Sequence, residues 1–125
     1  MPNLETRMQE IVGHELSSVE FVRDYIQFRF DGPCLTAITR PTLISSAAAL
    51  GPNDPGFRDG LCSEIGVKVA AVQITGVELI IVFADSCRLV FSLRDEDYIG
   101  PESLNYSSGD GTMVVACPPS PPERS

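Results

Sequence analysis

The sequence predicts an α+β fold: two α-β-β-β repeats related by a pseudo-two-fold, forming a mostly antiparallel sheet or small open barrel with two short helices. Three observations lead there. Leu4, Met8 and Val12, and again Phe57, Leu61 and Ile65, recur at four-residue spacing and are closed by Gly13 and Gly66. That spacing makes one apolar helix stripe, and a glycine just past it suits a left-handed C-terminal cap. Period-two alternation follows each stripe, the mark of a half-buried strand. Finally, shifting the chain by 53 positions superimposes the two patterns: Gly13 falls on Gly66, Ile26 on Leu79, Phe28 on Ile81 and Phe30 on Phe83. One inserted residue near Ala84 moves the offset to 54, after which Asp31 falls on Asp85, Leu35 on Leu89 and Arg40 on Arg94.

The first repeat covers residues 3–40. Asn3 is a suitable N-cap for its helix. Val19 and Phe21 share one strand face, and a turn near Arg23 and Asp24 leads into the next strand. There Ile26, Phe28 and Phe30 point to one side and Tyr25, Gln27 and Arg29 to the other. Asp31-Gly32 is a hairpin signal, because a type I′ turn needs positive φ at both central residues. Cys34 to Arg40 is the returning strand, limited by Pro41.

Residues 41–56 are a linker. Within it Thr42–Leu50 reads equally as an edge strand or a short helix, and Gly51-Pro52-Asn53-Asp54-Pro55-Gly56 is a loop. The second repeat covers 57–94. Gly60 weakens its helix by about 1 kcal/mol relative to alanine, so packing must hold it. Strands are expected over Val67–Thr75, Val77–Phe83 and Cys87–Arg94. Both faces are apolar over Leu79–Phe83, as in a strand covered on both sides. Ala84-Asp85-Ser86 replaces the Asp-Gly turn of the first repeat, which predicts a bulged hairpin.

Residues 95–117 form a C-terminal extension with one more short strand at Thr112–Cys117. Residues 118–125 hold four of the ten prolines and read as a disordered tail. Residues 1–117 are thus expected to form a single domain, and a chain of this size buries roughly two thirds of its surface.

Composition narrows the function. No apolar run approaches the ~18 residues of a membrane span, and the N-terminus lacks a secretion signal, so a cytoplasmic protein with no membrane contact is expected. The net charge of −8 opposes binding to nucleic acid. Cys34, Cys62, Cys87 and Cys117 form no C-x-x-C pair and read as free thiols. No cofactor and no metal site is expected, and no nucleotide-binding or hydrolase motif is present, which points away from an enzyme.

Two sets of residues remain as candidates. Arg40 and Arg94 close the third strand of each repeat and could clamp a carboxylate or phosphate between the repeats; local surface pairing is the plainer reading. Asp95, Glu96, Asp97 and Glu102 belong to an acidic segment with no basic residue, read as a solvated loop or as a docking surface for a basic partner. His14, the only histidine, has no nucleophile beside it in sequence and reads as structural.

The stretches QFRFDG (27–32), FRDGLCSEIG (57–66) and GPES (100–103) resemble small bacterial domains of unknown function. The resemblance covers residues 15–105 and implies no activity or site. The leading expectation is a non-enzymatic bacterial protein that contacts a protein partner through its acidic surface, with an immunity-type inhibitor as one version. The alternative is a small-ligand or sensor domain that binds an anion between the repeats. A homodimer through a sheet edge is a further partner expectation.

Overall fold

The computed structural model describes residues 4–23, 25–38, 41–46, 48–75, 78–92, 104–107 and 113–116. Helix α1 (Leu4–Met8) runs into a 3-10 turn (Gln9–Ile11). Strands β1 (Ser18–Val22), β2 (Tyr25–Arg29) and β3 (Cys34–Ala37) follow as an antiparallel meander. Next come β4 (Thr42–Ile44) and β5 (Ala49–Leu50), which settle the ambiguous linker as a hairpin. Helix α2 (Phe57–Ser63) leads into a second meander, β6 (Val69–Ile74), β7 (Glu78–Phe83) and β8 (Arg88–Ser92). A last hairpin joins β9 (Leu104–Ser107) and β10 (Met113–Ala116).

Among the described residues the strands form two five-stranded sheets, in the orders β1-β2-β3-β9-β10 and β5-β4-β8-β7-β6, with every pairing antiparallel. This is a small α+β fold, and its strands divide between two sheets where one sheet or an open barrel was expected. The hairpins are exchanged. β4-β5, which follows the first meander in the chain, extends the second one through β8, and β9-β10 extends the first through β3.

Alternation makes the inner faces. Ile26, Phe28 and Leu35 from one sheet and Leu79, Ile81, Leu89 and Phe91 from the other are buried in one cluster. Phe28 and Phe91 meet edge to face across it, with centroids 5.7 Å apart, a geometry that suits the ring quadrupoles. Buried Tyr106 joins them, its hydroxyl donating to Glu10. Ile80 and Val82 are half-buried, so β7 is covered on one side more fully than the other. The helices close the gaps between the sheets: α1 touches β6 and β10, and α2 touches β1 and β4. Gly60 permits that approach, since a Cβ there would stand 2.7 Å from the Leu43 side chain.

Two short segments pair where the meanders begin. Gly13 N–H donates to Val69 O and Gly66 N–H to Leu16 O, each at 2.8 Å. Val69 N–H donates to His14 O and Leu16 N–H to Val67 O, with Glu15 and Lys68 facing each other as a bridge. Gly13 and Gly66 hold φ of 91° and 95°, a conformation that costs other residues about 1 kcal/mol or more.

The helix stripes need one correction. Val12 and Ile65 are 39% and 42% exposed, while Ile11 and Glu64 are buried in their place. After Met8 the chain tightens to a 3-10 turn, so the inward position moves from the fourth residue to the third. After Ser63 the α-helix ends in a turn, with the same result.

No helix of the described residues is long and apolar enough to cross a membrane.

Candidate functional site

The residues singled out from the sequence, Arg40, Arg94, Asp95, Glu96, Asp97 and Glu102, lie outside the described residues, as do Cys117 and the tail 118–125. His14 is described. Its Nδ1 lies 3.0 Å from the Phe30 carbonyl oxygen, which can only accept, so Nδ1 carries the proton. This fits the structural reading.

Two other places gather chemistry. The first is a groove of about 190 Å³ lined by Phe21, Val22, Arg23, Ile26, Pro52, Phe57 and Arg58. β1 and β2 form one wall and the start of α2 the other. The Arg58 guanidinium lies 5.2 Å from the centroid of the Phe21 ring, which holds a cation against an apolar surface. The nearby Asp54 carboxylate accepts the Gly51 N–H at 2.7 Å and ties down the loop. The volume is below the usual range for drug-sized ligands, so it suits one side chain or a small acid.

The second place joins the C-terminus of α2 to the β7-β8 hairpin. Ligand atoms of Glu64, Asp85 and Cys87 all lie within 4.8 Å of one another. The hairpin positions two of them. Its three-residue loop, closed by Phe83 N–H to Cys87 O at 2.8 Å, puts Ser86 at φ 78°, as in three-residue loops that end in a left-handed residue. Asp85 Oδ1 then accepts the Cys87 N–H at 3.0 Å. Glu64 arrives from the other side at the helix C-cap, its own N–H bonded to Leu61 O at 3.0 Å.

Glu64 is 4% exposed, and its Oε1 has no hydrogen-bond partner. Among the described residues no cationic side chain forms an ion pair with Glu64 or Asp85. Burial pushes the Glu64 carboxyl up to about 7, helped by the neighbouring Asp85, while a hydrogen bond from Cys87 pulls it partly back. Burial likewise pushes the Cys87 thiol up to about 12, with the negative charges of Glu64 and Asp85 adding to it.

Spacing could not have revealed this cluster. Glu64 lies 21 positions before Asp85, and helical periodicity put Ile65 inward in its stead. The one available signal was the irregular Ala84-Asp85-Ser86 turn.

No protein-family model, no curated protein and no solved structure matches this chain. The resemblance to small bacterial domains therefore gains no support.

Proposed function

We propose that this chain is a small binding domain, residues 1–117, built from two α-β-β-β repeats about a pseudo-two-fold, which takes a small organic anion in the groove between them. The repeat is supported by register. Ile26 pairs with Ala37 and Phe28 with Leu35; the residues 53 or 54 positions on pair likewise, Leu79 with Phe91 and Ile81 with Leu89. The hydrogen bonds between segments 13–16 and 66–69 (Gly13 to Val69, Gly66 to Leu16) also interchange under a shift of 53, with Glu15 and Lys68 at the axis.

The observation that carries the ligand reading is Arg58 held over Phe21 beside Arg23, in a groove with one wall from each repeat. Guanidinium groups suit planar carboxylates, and Phe21 beside them offers a small apolar contact for a compact hydrocarbon body. In this reading Arg23 and Arg58 take the role expected from sequence for Arg40 and Arg94, which lie outside the described residues. The partner-binding reading, through Asp95, Glu96, Asp97 and Glu102 in a cytoplasmic protein, rests on the net charge of −8.

Benzoate is a suitable probe, followed by amide chemical shifts of the full chain. The expected result is saturable shifts confined to Phe21–Ile26 and Pro52–Arg58, absent with benzamide and about tenfold weaker in Arg58→Ala. Scattered shifts, or binding indifferent to Arg58→Ala, overturn the reading. A basic peptide that instead shifts residues 95–102 puts the acidic surface in its place.

A further inference from the structure

We infer that Glu64, Asp85 and Cys87 form a zinc site at the junction of α2 and the β7-β8 hairpin, with a fourth position left to water. The geometry carries it. Around a tetrahedral zinc, bonds of ~2.0–2.3 Å put ligand atoms roughly 3.3–3.8 Å apart. The three ligand atoms here lie within 4.8 Å of one another, so small side-chain rotations bring them onto one ion.

Independently of that clustering, Glu64 is 96% buried, and its Oε1 has no hydrogen-bond partner. A buried carboxylate with one oxygen unsatisfied and no cation beside it is costly unless something compensates it. Among the described residues no lysine, arginine or histidine pairs with it. A divalent cation bound by two carboxylates and a thiolate supplies the missing charge. The position 53 residues earlier holds Ile11, fully buried, so an apolar residue fits the corresponding place in the chain and the carboxylate is not required for packing.

The donor set selects the metal. A thiolate excludes calcium and magnesium, which take oxygen ligands, and favours zinc among the common divalent ions. Asp85 is exposed, so the cluster reaches solvent and water can complete it, as in three-ligand zinc sites.

The test is equilibrium dialysis of the full chain against zinc chloride. One zinc per chain is expected, unaffected by millimolar magnesium or calcium. Glu64→Gln and Cys87→Ser should each weaken it by more than the ~10–100-fold that loss of an outer-shell partner costs. Cys62→Ser and Arg58→Ala should leave it unchanged, and the latter separates this site from the anion groove. Cobalt should give a thiolate charge-transfer band and tetrahedral absorption in the unsubstituted chain. That spectrum decides the matter even if Cys87→Ser fails to fold. No bound zinc, zinc binding that survives Glu64→Gln or Cys87→Ser, or a cobalt spectrum without the thiolate band overturns the proposal.

Discussion

Two ends of the molecule invite comparison. At one, Ile11 sits beyond α1, and the β2-β3 hairpin turns through Asp31 and Gly32 before Pro33. At the other, Glu64 sits beyond α2, and the β7-β8 hairpin turns through Ala84, Asp85 and Ser86 before Cys87. The chain offsets match these places, Ile11 to Glu64, Asp31 to Asp85 and Pro33 to Cys87. The backbones do similar work: Gly32 and Ser86, matched by the same offset, both hold positive φ, at 123° and 78°. The side chains do not. One end buries an isoleucine, worth about 1.5–3 kcal/mol of transfer energy. The other buries a carboxylate beside a second carboxylate and a thiol. Stability alone favours the first solution, and the second costs stability unless something compensates the buried carboxylate.

The sharpest way to break this comparison is to exchange the residues. Ile11→Glu should destabilise the chain by about 3–5 kcal/mol in urea unfolding, the cost of an uncompensated buried charge. A change below 1 kcal/mol would mean that this interior accepts a carboxylate freely and that Glu64 is unremarkable.

The next effect is on pH dependence. Without metal, burial raises the Glu64 carboxyl in the folded chain to about 7 from its ordinary 4.5. The folded chain therefore binds more protons between those values. Its contribution to stability is complete below pH 4.5 and is lost as pH rises through 7, by about 3 kcal/mol. Glu64→Gln should remove that part of the slope, seen as a gain over the unsubstituted chain at pH 8 that vanishes by pH 4. Parallel curves at all pH values would contradict the assignment.

Smaller still is the difference between thiols. With the Cys87 thiol pushed up to about 12, it should alkylate at neutral pH at least about tenfold more slowly than exposed Cys62. Equal rates by peptide mass mapping would show that the half-buried Cys87 is not held back by the carboxylates of Glu64 and Asp85.

The smallest effect tests the likeness of the two ends. Gly13→Ala and Gly66→Ala should each cost about 1 kcal/mol, because both hold φ near 90° with open space around the Cβ position. Costs that differ by more than the single value would break the correspondence of the two backbones.

Local pattern alone determined much of this fold. Alternation at Ile26-Phe28-Phe30 and at Leu79-Ile81-Phe83 identified two strands and their buried faces, and Asp31-Gly32 marked the turn between β2 and β3. Gly13 and Gly66 marked where the helical segments end. These features depend on residues a few positions apart, within reach of steric and hydrophobic periodicity. The rest follows from contacts between segments far apart in the chain. Period two says which face of a strand is apolar and nothing about its neighbour, so neither the division into two sheets nor the pairing of β4 with β8 and β3 with β9 could be read from the chain. The same limit hid the Glu64 cluster. Ideal helical spacing turned Val12 and Ile65 inward, and only the early end of each helix turned in Ile11 and Glu64. Asp85 and Cys87 then reach Glu64 through the packing of a hairpin against a helix end, a contact between distant segments that no local spacing encodes.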